Sequence, residues 1–254
     1  MFLSYSVFFG HAQINDRDTI TVMCNIWIAY FVFKYFEFNL KKNKKYIIYI
    51  SLLIAIGIGV RFHFIATLIP ILLFIFFDFI SLKIRFKKIF LWDLLKIMLI
   101  SSFIIFLFWV PTHENLLTKP FEILKILFDR SFGWSLLMIN GEIYESNNYP
   151  LTYIFQNLFF KSPEYIIFLY VLFFPIFFLI RKFFKNRKFD RNLFFIILNI
   201  LTPTFLLLIF NTNVYDGLRL FLYILPYFLT IPAIVFYFLI VNQKKFFFKS
   251  YQEK

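Results

Sequence analysis

Apolar runs of about 20 residues recur along this chain, and each is long enough to cross a hydrocarbon core roughly 30 Å thick. That one feature fixes most of what the chain can become. No water is available at that depth, so the backbone must satisfy itself as helix or as a closed barrel. A barrel needs strict apolar/polar alternation, and stretches such as Ile71 to Ile80 are apolar on every side. The 254 residues are 61% hydrophobic, with a mean hydropathy of +0.76. The reading is an all-α integral membrane protein, a polytopic helix bundle forming a single transmembrane domain over 1–254.

The pattern predicts about seven full spans, after a partial helix in the first ten residues: 20–38, 46–60, 63–80, 92–110, 164–180, 192–210 and 220–241. The 46–78 stretch is too long for one helix at 1.5 Å per residue, and Gly57, Gly59, Arg61 and His63 mark a turn within it. Segment 151–160 reads as a short apolar piece along the interface. Pro163 starts the next helix.

The formal charge of +13 is placed as a membrane protein would place it. Basic residues gather at 41–45, 83–88, 181–191 and 244–254, and counting spans puts all four on one side. By the positive-inside rule that side is the cytoplasm, with the C-terminus on it and the chain in the inner (plasma) membrane. The opposite side receives the 11–19 loop, the turn near Arg61, the 111–150 loop and the 211–219 loop, with most of the acids. This sorting speaks against nucleic acid as a partner and for the lipid bilayer. The 43 Phe are spread too evenly to mark a stacking stripe. Cys24 stands alone, so no internal disulfide can form.

Three polar groups interrupt this pattern. The 11–19 loop holds Asp16 and Asp18 beside His11, Asn15 and Arg17. A carboxylate there can act as general base toward a hydroxyl or hold a metal. Asp18 also immediately precedes an apolar run, as an N-cap would. Arg61 lies inside a hydrophobic stretch, where an ionisable group is costly unless paired. Its fork suits phosphate, or it snorkels to the interface. In NTNVYDGLR, Asp216 and Arg219 have helical spacing, fitting an anion site or a structural ion pair. His63 and His113 are single histidines without metal-ligand spacing and read as structural. No Walker loop, dinucleotide fingerprint or H-E-x-x-H occurs.

Four stretches, in order, resemble glycosyltransferase family 39, the GT-C enzymes related to polyprenyl-phosphate-mannose protein mannosyltransferases. FFGHAQINDRDTITVM resembles the family's second external loop. GIGVRFHFIATLIPILL resembles its G-L-A-x-x-x-R helix pair. NGEIYESNNYPLTYIFQNLFFKSPEYIIFL resembles the loop through P-x-x-Y to K-T-P. VYDGLRLFLYILPYFL resembles Y-[DN]-G-x-R-H-F-L-F-x-x-P, with Leu220 where the family often has His.

The resemblance implies a GT-C-like membrane module. It implies a hexosyl- or pentosyltransferase that moves a sugar from a polyprenyl-phosphate carrier to a glycan, lipid or protein acceptor outside the membrane. It implies catalytic roles for Asp18 and Asp16, and substrate-binding roles for His11, Asn15, Arg61, Tyr215, Asp216 and Arg219. No resident metal is assigned, and a divalent ion is compatible with the chemistry. The family's first external loop and its acid lie before helices that this chain does not contain, so Met1 falls within the family's third helix. The competing expectations are an inactive relative that binds the lipid carrier, and a transporter or flippase.

Overall fold

The structure is a computed structural model. It describes residues 5, 8–10, 15–37, 44–81, 84–108, 113, 115, 118, 122, 125, 136–139, 141–145, 148–184, 187–210, 214 and 218–252. Helix α1 runs Asp16–Glu37 and α2 Lys44–Val60. A single turn α3, Phe64–Thr67, leads into α4, Ile69–Ser81. Helix α5 spans Ile84–Phe108. A small antiparallel hairpin, β1 Leu136–Ile139 and β2 Glu142–Glu145, precedes the eight-residue α6, Tyr153–Phe160. Helices α7, Glu164–Phe183, and α8, Arg187–Phe210, follow. A 3-10 segment, Arg219–Ile224, feeds α9, Leu225–Gln252.

The molecule is an all-α polytopic membrane protein. Among the described residues, five helices are long and apolar enough to cross a bilayer: Asp16–Phe36, Lys87–Phe108, Glu164–Phe183, Phe189–Ile209 and Leu220–Asn242. The other two expected spans are shorter. The 17 residues of α2 reach roughly 25 Å at the helical rise. Apolar stretch Phe64–Ile80 is interrupted at Leu68, whose N–H bonds the Ile65 carbonyl at 3.1 Å.

Helix α1 shows why the bundle forms. Asp18, Val22, Asn25, Ile28, Ala29, Val32 and Tyr35 are buried, a stripe repeating every three or four residues. Met23, Trp27 and Tyr30 on the other side are exposed, as suits lipid. The stripe packs chiefly on α2 and on the 3-10 segment. One large apolar core joins Ile28 and Val32 of α1 to Phe64, Phe74, Ile154, Ile166, Phe195 and Leu222.

Several helix ends depart from the expected spans. Helix α1 begins at Asp16, so Asp18 sits inside the first turn and is not the N-cap. The basic residues at 84–88 form the start of α5 rather than a loop, because Lys and Arg are good helix formers and a basic cluster flanked by apolar residues can continue the helix. Residues 220–224 are 3-10, and α9 starts only at Leu225. Gly57 and Gly59 lie within α2, and the break falls at Arg61 to His63.

The hairpin was not anticipated by the span pattern. Gly141 at its turn has φ +85°, a conformation that favours glycine. Leu137 and Ile139 of β1 are buried while Leu136 and Met138 face outward. Helix α6 likewise has one buried face, formed by Tyr153, Ile154, Asn157 and Leu158. Tyr5 is fully buried and shares a 2.9 Å hydrogen bond with Ser162 Oγ, just before α7.

Candidate functional site: a buried polar cluster at the Asp18 end

Three residues singled out in the sequence meet. Asp18 is carried inward because it falls on the buried stripe of α1. Arg61 immediately follows α2 and is held by a tight turn: its N–H bonds the Gly57 carbonyl at 3.0 Å, and its carbonyl accepts from Phe64 N–H at 2.9 Å. From there Arg61 Nε lies 2.9 Å from Asp18 Oδ1. Its NH2 donates to Asn15 Oδ1 at 3.3 Å, across 46 residues of sequence. Asn15 Nδ2 in turn donates to Asp18 Oδ2. Each residue therefore bonds the other two.

The triangle is well shielded. The side chains of Asp18 and Arg61 are 5% and 15% exposed. A charge withdrawn from water is costly unless paired, and here opposite charges meet with a neutral amide bridging them. Close packing holds the turn in place. A Cβ on Gly57 would stand 2.3 Å from the ring of fully buried Phe64, so the ring occupies the place of a side chain.

Beside the triangle lies a cavity of about 10 Å³, lined by Asp18, Thr21, His63, Thr67 and Tyr223 among others. That is room for one water or one hydroxyl oxygen. Burial, and then the Arg61 charge, push the His63 imidazole down to about 4, so the ring is neutral near pH 7. The expectation that His63 is merely structural took no account of this setting. A lone histidine has no motif, and only its place across the turn from Arg61 gives it chemical company.

Below the cavity, two turns along α1, a second polar network was also missed. Asn25 is fully buried. Its Nδ2 donates to the Thr67 carbonyl at 2.9 Å and to Thr67 Oγ1 at 3.2 Å, while Tyr227 OH donates to Asn25 Oδ1 at 2.5 Å. This stitches α1, α3 and α9 together. The available signal was an asparagine inside an apolar span, expensive unless satisfied.

The other expected site residues fare differently. Asp16 is exposed and accepts from its neighbour's backbone, Arg17 N–H, at 2.8 Å; it does not join the triangle. His11, Tyr215 and Asp216 lie outside the described residues, as does the side chain of Arg219, which opens the 3-10 segment. Among the described residues, no three His, Cys, Asp or Glu side chains come together in a way that could hold a metal ion.

At the opposite end of the bundle, three further ion pairs stand among the described residues. Arg181 of α7 grips Asp190 of α8 through Nε at 2.8 Å and NH2 at 2.6 Å. Arg191 of α8 bonds Asp78 of α4 and stacks its guanidinium over Phe33 and Phe74. Asp93 of α5 accepts from Tyr35 OH and Lys96 Nζ, both at 2.9 Å. These acids were overlooked within segments read for their basic or apolar character.

Set against protein families, curated proteins and solved structures, the chain matches none of them.

Proposed function

We propose that this protein is a membrane glycosyltransferase of the GT-C, family 39 type, taking a sugar from a polyprenyl-phosphate carrier at the outer face of the plasma membrane. The observation that carries the reading is the convergence of Asn15, Asp18 and Arg61 in one shielded triangle beside a hydroxyl-sized cavity. The reading rests also on the four sequence stretches that resemble the family. In this reading the Asp18 end faces outward and the basic segments and C-terminus face the cytoplasm.

The chemistry is an inverting displacement. The acceptor oxygen forms a bond to the anomeric carbon as the bond from that carbon to the carrier phosphate breaks, its electron pair staying on the phosphate. Asp18 takes the acceptor proton as general base. Arg61 offers a guanidinium to the departing phosphate, matching its oxygens with a planar fork. Tyr215, Asp216 and Arg219 belong to the same proposed carrier site by sequence alone.

A second reading, a relative that binds the lipid carrier without transferring sugar, is favoured by one feature of the same triangle. Both Asp18 oxygens already accept hydrogen bonds, one from a guanidinium. Sugar transfer decides between the two. Membranes from the cells that make the protein should transfer label from a radiolabelled polyprenyl-phosphate sugar. Asp18→Asn, assayed well below its own melting temperature, should lose about 100-fold or more of that rate. Carrier binding without transfer in the native protein establishes the second reading; full activity in Asp18→Asn removes Asp18 from the mechanism.

A further inference from the structure

The cavity beside Asp18 has two polar walls that the proposed mechanism does not use. His63 and Tyr223 both line it. Among the described residues, neither the His63 ring nor the Tyr223 hydroxyl has a hydrogen-bond partner. Tyr223 is only 6% exposed. Everything else polar nearby is engaged. Thr21 Oγ1 donates to the Asp18 carbonyl at 2.7 Å, and Thr67 Oγ1 donates to the Phe64 carbonyl at 2.8 Å. Two residues with unfilled hydrogen-bonding groups thus line a space that fits one oxygen atom.

We propose that His63 and Tyr223, with Asp18, form the seat of the acceptor's hydroxyl oxygen, which water fills when no acceptor is bound. The inference rests on the glycosyltransferase reading and names residues that the family resemblance does not supply. The chemistry of the walls selects the occupant. Asp18 on one side disfavours an anion, and the Arg61 guanidinium is turned toward Asp18 and Asn15. A neutral imidazole and a phenol each offer one donor and one acceptor. Together they can hold a hydroxyl oxygen while its proton points at the carboxylate. A carboxylate has about four acceptor sites, and the bonds from Arg61 and Asn15 engage one on each oxygen.

Neutrality of His63 matters to this arrangement. Among the described residues, the charged groups around it are Arg61 on its own turn and Asp18 of α1, which lines the same cavity, with Tyr223 of the 3-10 segment on another wall. Burial and Arg61 keep the imidazole low, about 4, so near pH 7 it is neutral and offers one N–H to the hydroxyl oxygen without adding a second cation to compete for the Asp18 carboxylate.

Water serves as the probe, since it fits the seat and replaces the acceptor in slow hydrolysis of the carrier-linked sugar. The purified protein is given a labelled polyprenyl-phosphate sugar, and release of free sugar is followed beside binding of polyprenyl phosphate. Tyr223→Phe removes one oxygen atom and His63→Phe removes both ring nitrogens. Each should slow sugar release about tenfold with carrier binding unchanged, while His63→Gln keeps most of the rate. Melting curves confirm that the variants are folded. Unchanged release in both folded Phe variants means a structural water only, and overturns the seat while leaving the transferase reading intact. A parallel loss of carrier binding overturns it too, by making these residues part of the carrier site. Native protein that binds carrier but releases no sugar overturns both the seat and the transferase reading.

Discussion

Both ends of this bundle carry ion pairs, but they differ in how much water they see. At the Asp18 end the carboxylate and guanidinium are 5% and 15% exposed, and an asparagine closes the ring. At the other end every pair has an exposed cation: Arg181 and Asp190 are each 40% exposed, Arg191 and Asp78 37% and 20%, and Lys96 and Asp93 49% and 10%. The same chemistry therefore has two energetic meanings. Exposed pairs gain little over the hydration they give up. A shielded pair is obligatory once formed, because losing one partner strands the other. The shielded end also has a cavity lined by residues with unfilled hydrogen-bonding groups, which is why the functional reading belongs there.

The largest effect expected from this contrast is on stability after Asp18→Asn. The Arg61 charge then stays shielded without its counter-ion, at a cost of about 3 kcal/mol, seen as a clear drop in a detergent melting curve. Adding Arg61→Met should restore most of the loss, since a neutral apolar pair needs no desolvation of charge. A melting temperature unchanged in the single variant would erase the distinction between the two ends.

An intermediate effect is expected from pH. The His63 imidazole titrates near 6.5 when unfolded and about 4 when folded. Between these values the unfolded state binds more protons, so stability falls as pH drops from about 6.5 toward 4 and is fully present above that window. His63→Gln should flatten that part of the melting-versus-pH curve. An unaltered acid slope would assign the titration to other groups. The smallest effect is expected for Asp190→Asn, whose pair is open to solvent: the melting curve should barely move, and what change there is should vanish at high salt. A drop matching that of Asp18→Asn would break the comparison.

The spans were readable because apolar length is set by bilayer thickness, so the apolar parts of α5, α7 and α8 stand out from the sequence, although the charged residues before two of them continue the same helices. Helix ends were less readable. Asp18 looks like a cap since the apolar run begins after it, yet the backbone hydrogen bonds start earlier and put it in the first turn. The hairpin had a signal in Asn140-Gly141, a turn-forming pair between runs of strand-forming residues, which a search for spans passes over. In the site, Asp18, Asn15 and Arg61 stood out because charge and amide groups are rare at such places. That Arg61 reaches Asp18 depends on the turn at 61–63, which no local pattern specifies. His63, Tyr223 and Asn25 gain meaning only from what folds against them.

The contact between Gly57 and Phe64 carries a consequence for how this molecule can vary over generations. The ring takes up the volume of a missing side chain, so positions 57 and 64 share one allotment of space. In any descendant that keeps the Arg61 turn, a larger residue at 57 requires a smaller one at 64, and neither change is tolerated first on its own. Related chains, where they are found, can be recognised by that reciprocal pairing even when the surrounding aliphatic residues have been exchanged freely.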